Sequence, residues 1–170
     1  MSNPRRPFRL NVGFIVHEEV GYNHTFPFAF DNLQFEDDLT LRAFEGQAMI
    51  GRTPQGLIVQ AHFEATTSLE CVRCLEAFDL QLHLDMTEMY AFSRKSVAES
   101  GLLLPEDAHI DLQPLVREYA LLELPIKPLC KPDCKGLCPI CGENLNQINC
   151  GHYALSGESP FSGLKDLLEE

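Results

Sequence analysis

Long apolar runs and basic residues are both scarce in this 170-residue sequence. No stretch is long and apolar enough to span a bilayer as a helix. The first residues include arginines but no apolar run behind them, which a signal peptide needs, so we expect a cytoplasmic protein. The sequence has 13 Lys and Arg residues and 25 Asp and Glu residues, which gives a net charge of −12. This acidity argues against a general phosphate-binding surface and suits solubility or a basic partner.

Sequence motifs of common enzyme classes are also missing. There is no Ser-His-Asp arrangement, phosphate loop or glycine fingerprint. His62 and Glu64, with a later Cys-x-x-Cys, imitate the zinc deaminase signature. That signature places its His and Glu on a helix and a proline before the cysteine pair, whereas here the pair lies in a strand-like segment and Leu137 precedes Cys138. We therefore predict a protein without catalytic residues, and a metallohydrolase is the least favoured hypothesis.

Alternating apolar residues make Leu57 to Phe92 the most informative part of the sequence. In the first run, every second residue is apolar or small: Leu57, Val59, Ala61, Phe63, Ala65, Thr67, Leu69 and Cys71. The second run continues the alternation: Phe78, Leu80, Leu82, Leu84, Met86, Tyr90 and Phe92. A period of two predicts half-buried strands, and the short link between them predicts an antiparallel hairpin. The tip of that hairpin is Cys71-Val-Arg-Cys74.

Weaker patterns predict further strands upstream of the hairpin. Thr53–Gly56 is typical of a turn and leads back to a strand over Leu39–Ile50. Phe26–Phe30 alternates as well, although Pro27 restricts that strand to a sheet edge or a strand start. Val12–Val16 is predicted as another short strand. The first 92 residues should form a mostly antiparallel sheet, either open or curled into a partial barrel.

One main helix is predicted after a polar loop at 93–110. Asp111 suits the N-cap, and apolar residues follow at helical spacing until Pro125 must end the helix. The prolines then predict an irregular segment up to about Gly151, with a short terminal helix at Phe161–Glu169. The sequence thus predicts an α+β fold with a β-rich domain at 1–124. A zinc-binding, Cys-rich tail at 125–170 is expected to dock on the 71–74 knuckle.

Seven cysteines and one late histidine match the ligand count of two tetrahedral zinc sites. They are Cys71, Cys74, Cys130, Cys134, Cys138, Cys141, Cys150 and His152. In a reducing cytoplasm, thiols stay free or bind metal, and paired Cys-x-x-Cys motifs are a strong metal signal. Tetrahedral zinc takes four Cys or His ligands, and a site closed by four protein ligands is structural. We therefore predict two structural zinc ions.

Two pairings of these ligands are open. Short loops close most cheaply, which groups Cys138 and Cys141 with Cys150 and His152. The hairpin-tip cysteines would then share a Cys₄ site with Cys130 and Cys134. The rival pairing joins the two Cys-x-x-Cys motifs in one ribbon-like site. It leaves the remaining four ligands for the other site.

Several linked motifs are similar to those of the YceD family, the large ribosomal RNA subunit accumulation proteins of bacteria and plastids. They include the Cys71–Phe78 block, the Leu124–Leu145 block with its four cysteines, Glu64–Glu70 and the closing Phe161–Leu168 segment. This resemblance covers most of the chain. It implies a role in ribosome biogenesis that supports normal levels of the large-subunit (23S) ribosomal RNA. In this chain, His152 stands where a cysteine is common in the family.

Two functional hypotheses follow from the resemblance and the charge. The first is a non-enzymatic factor that contacts large-subunit RNA or the pre-ribosome. Lys127, Lys131 and Lys135 recur every four residues and would converge with Arg73 if the first zinc pairing holds, so these four are the candidate RNA contacts. The second is an acidic protein-interaction module, such as a chaperone for a basic ribosomal protein.

Overall fold

A computed structural model describes residues 6–35, 39–96 and 101–152 of the chain. Six strands are present in these ranges: β1 (Arg9–Asn11), β2 (Asn23–Phe35), β3 (Leu39–Arg52), β4 (Gly56–Glu70), β5 (Ala77–Ala91) and β6 (His109–Asp111). Three helical elements accompany them: α1 (Gly13–Val16), a 3₁₀ turn (Arg94–Ser96) and α2 (Gln113–Glu123). The predicted terminal helix at Phe161–Glu169 lies outside the described residues.

Four long strands form one sheet in the order β2-β3-β4-β5. The pairs β2–β3 and β3–β4 are antiparallel, with Phe30 opposite Phe44 and Ala48 opposite Ala61. β5 lies beside β4, and the predicted hairpin joins them through the Cys71–Cys74 tip. In the described ranges β2 and β5 are edges, so the sheet does not close into a barrel. The predicted α+β class with one main helix is confirmed.

The alternation of the two hairpin strands matches their burial. Leu57, Val59 and Phe63 are fully buried, whereas His62 and Glu64, on either side of Phe63, are exposed. Pro27 lies on β2, an edge strand of the described sheet, as the restriction on proline predicts. The Thr53–Gly56 turn is closed by the Thr53 N–H, which donates to the Gly56 carbonyl at 2.9 Å.

The core of the larger compact unit lies on one face of the sheet. Its largest fully buried side chains are phenylalanines, and the ring centroids of Phe44 and Phe63 are 4.8 Å apart. Phe8 adds a ring next to β2 and β3, 5.4 Å from Phe28. Leu115, Val116 and Ala120 of α2 belong to the same cluster. Burial of these side chains leaves the other sheet face to polar residues.

Two local predictions are wrong, and both fail because tertiary contacts decide the conformation. Val12–Val16 contains the helix α1 instead of a strand: the Ile15 and Val16 N–H groups donate to the Val12 carbonyl at 3.0 and 3.3 Å. Val12 and Ile15 are both fully buried, a spacing of three that suits a helix. The predicted loop at 93–110 also contains the 3₁₀ turn and most of β6, which pairs with β1.

The start of α2 lies one residue later than predicted. Asp111 ends β6 opposite Arg9, so its backbone belongs to the strand, and Leu112 occupies the N-cap position. The Asp111 carboxylate nevertheless accepts a hydrogen bond from the Gln113 N–H at 3.0 Å. Pro114 lies in the first turn and the helix ends at Glu123, before Pro125, as expected.

The chain divides into two compact units. The first contains Met1–Ser68 and Asp79–Ile126, with most of the sheet and both α-helices. The second contains the hairpin tip, Leu69–Phe78, together with Lys127–Glu170. The predicted domains at 1–124 and 125–170 stay a prediction. None of the described helices is long and apolar enough to cross a membrane.

Candidate metal centre

The tip of the β4–β5 hairpin is a tight turn that points two thiols to one side. The Leu75 N–H donates to the Cys71 carbonyl at 2.9 Å, and the Cys71 N–H donates to the Glu76 carbonyl at the same distance. Leu75 closes the turn in the left-handed region, with φ at 58°. Cys71 and Cys74 are both buried.

Cys138–Cys141 forms a second turn of the same construction. The Gly142 N–H donates to the Cys138 carbonyl at 2.9 Å, and the Cys138 N–H donates to the Glu143 carbonyl at 2.8 Å. Gly142 takes the left-handed position at φ 77°, which glycine adopts without steric cost. The two Cys-x-x-Cys motifs are therefore equivalent knuckles, and a Glu follows the left-handed residue in each.

Four cysteines meet at the hairpin tip, close enough together to bind one metal ion. The sulfur atoms of Cys71, Cys74, Cys130 and Cys134 all lie within 4.8 Å of one another. Cys71 Sγ is 3.8 Å from Cys134 Sγ, and Cys74 Sγ is 3.6 Å from Cys130 Sγ. A zinc–sulfur bond of about 2.3 Å implies a tetrahedral S···S edge of about 3.8 Å, whereas a disulfide is about 2.05 Å long. The quartet fits a metal ion and contains no disulfide.

Backbone hydrogen bonds bring the Pro-rich segment against the hairpin tip. The Val72 N–H donates to the Pro128 carbonyl at 3.0 Å, and the Leu137 N–H donates to the Arg73 carbonyl at 3.2 Å. Gly136 permits this close approach, because a Cβ there would lie 3.0 Å from the Arg73 carbonyl oxygen. A small apolar cluster surrounds the thiols: Phe78, Leu129 and Leu137.

The second quartet consists of Cys138, Cys141, Cys150 and His152. Their ligand atoms also lie within 4.8 Å of one another, with Cys138 Sγ 3.8 Å from His152 Nδ1. The structure therefore brings the eight predicted ligands together in the grouping with the shorter loops. In the rival grouping both Cys-x-x-Cys motifs would share one site, but here they lie in separate quartets.

The electrostatics of both quartets favour a bound cation. Burial raises the pKa of the Cys71 thiol, but backbone N–H donors from Cys130, Cys74 and Arg73 outweigh it and lower the pKa to about 6. The N–H groups of Cys141 and Ile140 lower the pKa of Cys138 to about 6 as well. Burial, with the neighbouring sulfurs, raises the pKa of Cys130 to about 12. The protein thus stabilises the thiolate of some cysteines and disfavours that of others. A bound divalent cation would let all the thiols of a quartet ionise together.

Asn146 is a supporting residue that the sequence analysis missed. Its Nδ2 donates to Cys134 Sγ at 3.4 Å, and its Oδ1 accepts from the Lys135 N–H at 2.9 Å. Asn144 Oδ1 in turn accepts from the Asn146 side chain and backbone, at 2.8 and 2.9 Å. The available signal was the run of asparagines between Cys141 and Cys150. Residues that hydrogen-bond to a metal ligand in this way orient the ligand and tune its basicity.

Two of the four predicted cationic contacts line one pocket beside the first quartet. The pocket has a volume of about 690 Å³ and is lined by Arg73, Cys134, Lys135, Leu145 and Asn149. Arg73 Nη1 donates to the Cys134 carbonyl at 2.8 Å, which fixes the guanidinium. Lys127 and Lys131 do not line the pocket and are exposed on the segment that leads to it.

His62 and Glu64 lie on the exposed face of the sheet, in the first unit. His62 Nδ1 is 2.6 Å from Asp85 Oδ1, and His62 Nε2 is 3.8 Å from Glu64 Oε1. Among the described residues, the groups of ligand atoms that are close enough to share one ion are the two quartets, and neither includes His62 or Glu64.

The fold and the quartets define a class: a small α+β protein with two Cys-rich clusters that have the ligand set of structural metal sites. The family profile described as "Large ribosomal RNA subunit accumulation protein YceD" matches residues 59–168. This match covers more than half of the chain, so the protein belongs to the YceD family. The family is named for accumulation of an RNA and not for a catalytic activity.

Relatives with similar sequences occur in bacteria and plants. An uncharacterized protein of Mycobacterium tuberculosis is 35% identical over 92 residues, which cover 52% of this chain and 44% of the relative. A maize protein named "Large ribosomal RNA subunit accumulation protein YCED homolog 1, chloroplastic" is 38% identical over 61 residues, 34% of this chain and 21% of its own length. The chain thus spans less than half the length of these relatives. No solved structure matches it.

Proposed function

We propose that the protein is a cytoplasmic, non-enzymatic ribosome biogenesis factor that supports accumulation of large-subunit (23S) ribosomal RNA. The observation that carries this proposal is the pocket where Arg73 and Lys135 meet beside the first quartet. Both quartets would hold structural zinc, because four protein ligands leave no open coordination position for a reaction. Zinc would thus shape the surface that meets the RNA.

Charge distribution supports the second unit as the RNA contact. Its described part contains four basic and four acidic side chains, so the net charge of −12 comes wholly from other residues. Among the described residues, none of Lys127, Lys131 and Lys135 forms an ion pair with a carboxylate. Zinc-bound thiolates would add about three negative charges, since thiolates outnumber the cation at each site. We therefore expect a local and strongly salt-dependent contact.

A charge-reversal experiment tests this function. The variant carries Lys127→Glu, Lys131→Glu and Lys135→Glu together. The matched control reverses three cations of the first unit that are also exposed: Arg6, Arg94 and Lys95. We expect the first variant to lose co-sedimentation with large-subunit precursors, and to fail to restore 23S RNA levels in cells that lack the protein. The proposal is wrong if both variants behave like the unaltered protein.

One observation favours a second candidate, an acidic module that holds a basic protein. Glu45 and Glu64 lie directly opposite each other on the exposed sheet face, and like charges in that arrangement cost stability. Asp79 and Asp85 are exposed on the neighbouring strand. A basic partner would relieve this repulsion. Pull-downs with and without nuclease separate the candidates, because a protein partner survives nuclease treatment and an RNA-mediated one does not.

A further inference from the structure

We propose that the pocket beside the first quartet binds one unstacked nucleotide of single-stranded RNA. This inference rests on the proposed function and specifies how RNA is recognised. The volume of about 690 Å³ lies within the usual range for small-ligand pockets, about 300–1,000 Å³. Its lining combines two cations, one aliphatic side chain and one amide. The cations can bind a phosphate, the leucine or the guanidinium plane can pack on a base face, and the amide can hydrogen-bond to a base edge.

The cationic side of the pocket is held in place for a phosphate. Arg73 follows Val72 in the first knuckle, and its guanidinium is fixed by the hydrogen bond to the Cys134 carbonyl. The Lys135 backbone is held by Asn146, while its side chain stays exposed. Because a guanidinium carries five N–H donors, the bond to Cys134 leaves others for phosphate oxygens.

Two other lining residues of the pocket, Leu145 and Asn149, offer contacts to a base. The Leu145 N–H donates to the Gly136 carbonyl at 2.9 Å, which holds this half-buried side chain at the pocket. Asn149 Oδ1 accepts from the Gly151 N–H at 3.2 Å, so its amide nitrogen is left to donate to a base edge. Bases inside a duplex are stacked and cannot enter such a pocket, whereas a single strand can present one.

Both quartets position residues that line the pocket, so the two metal sites would support the same binding site. Arg73 lies between two ligands of the first quartet, and Cys134 is itself a ligand of that quartet. Leu145 and Asn149 lie between Cys141 and Cys150, two ligands of the second quartet. Loss of either metal would therefore displace one side of the pocket.

Fluorescence anisotropy with labelled eight-nucleotide RNA tests the inference on the zinc-loaded full chain. The probes are single-stranded U8 and A8 and a mixed-sequence duplex of the same length. The pocket variant carries Leu145→Ala and Asn149→Ala, and the control variant carries Ile148→Ala, an exposed neighbour that does not line the pocket. We expect the unaltered protein and the control to prefer single strands. The pocket variant should bind them about tenfold more weakly, because an apolar contact and a hydrogen bond are both lost.

Zinc content and a single substitution keep the test decisive. If the double variant loses zinc, Asn149→Ala alone should still weaken single-strand binding about threefold to fivefold. Equal affinity for duplex and single strand, or pocket variants that bind as the control does, would overturn the nucleotide pocket. In that case, loss of RNA association in the triple lysine variant would leave the proposed function intact. No association of the unaltered protein with RNA or precursors would instead contradict the proposed function itself.

Discussion

Leu75 occupies in the first knuckle the position that Gly142 occupies in the second. Both residues have a positive φ, yet only glycine adopts that conformation freely, and a leucine there costs about 1–2 kcal/mol. The side chain of Leu75 is 58% exposed, so little packing would be lost on its removal. The first knuckle thus keeps a strained residue that the second avoids.

Substitution of Leu75 tests whether this strain is real. We expect Leu75→Gly to leave the free energy of unfolding unchanged or raised by up to about 1 kcal/mol, because relief of strain exceeds the added entropy of the unfolded chain. Leu75→Val should lower it by about 1 kcal/mol, since a β-branched side chain tolerates a positive φ least. Urea unfolding of zinc-loaded protein measures both. A glycine variant less stable than the valine variant would contradict this explanation.

His62 provides a second test at the scale of single residues. Its hydrogen bond to Asp85, then the charges of Asp85 and Glu64, raise the pKa of His62 above its ordinary value of 6.5. We expect Asp85→Asn to return the pKa of His62 towards 6.5 in an NMR titration. Asp79→Asn is the matched control, because Asp79 lies on the same strand as Asp85 but its carboxylate pairs with Arg42 and not with His62. If the control lowers the pKa of His62 as much, the specific pairing with Asp85 is wrong.

The sign of the pH effect follows from the direction of the His62 shift. Because the folded-state pKa is raised, the protonated pair stabilises the fold fully below about pH 6.5. This contribution is lost as the pH rises through the folded-state pKa. The groups are exposed, so the effect on stability is small and the titration itself is the better measurement.

At the scale of elements, periodicity predicted the hairpin but could not predict long-range pairings. Strands β4 and β5 were predictable because each alternates over most of its length, and the Cys-x-x-Cys turn between them is short. The β1–β6 pairing joins Leu10 to Ile110, a hundred residues apart, and neither three-residue strand carries its own pattern. α1 was mistaken for a strand because Ile15 and its valine neighbours favour strands locally.

Gly46 explains how β3 remains paired across an irregularity. A register shift separates Arg42 from Glu45, and Gly46 follows it with φ at 148°. A Cβ at this position would lie 2.1 Å from the His62 carbonyl oxygen of β4. Only a residue without a side chain allows the two strands to approach so closely.

We expect Gly46→Ala to destabilise the sheet by more than about 2 kcal/mol, because backbone atoms of β4 must move. Gly21→Ala is the matched control: Gly21 also has a positive φ, but a Cβ there meets nothing within 4 Å. Gly21→Ala should lower the free energy of unfolding by only about 1 kcal/mol, because alanine is strained at a positive φ but meets no neighbouring atom. Thermal and urea unfolding compare the two variants. Equal losses would show that the close approach to His62 is unimportant.

At the scale of the whole molecule, the spacing of the ligands predicted the two quartets but not the pocket beside them. Of the two pairings that the sequence left open, loop lengths favoured the one that the structure has, because ligands close in sequence meet at the least entropic cost. The pocket was not predicted, since the sequence marks neither Leu145 nor Asn149 as a contact and both reach the pocket only through the fold of the second unit. Zinc binding by the quartets and RNA contact by the four cations stay predictions.

The two units have cores of very different size. Among the described residues of the first unit, 25 buried residues form one apolar cluster, which is enough to fold without a metal. In the described part of the second, which ends at His152, the buried cluster consists of Cys71, Cys74 and Cys134, with a few half-buried neighbours. A core this small normally needs a metal or disulfides for stability, and the sulfur distances exclude disulfides. The second unit should therefore fold only when its quartets bind a metal.

Hydrogen exchange during zinc removal tests this division. We expect a strong chelator to release about two zinc ions per chain and to abolish protection of the Leu75 and Gly142 amides, which close the two knuckles. Amides within the β3–β4 pairing, such as those near Ile50 and Val59, should keep their protection. Added zinc should restore the knuckle amides, whereas magnesium should not, because it prefers oxygen ligands. Protection lost at the same chelator concentration in both regions would show that the metal supports the whole molecule, and unchanged knuckle amides would exclude a structural metal.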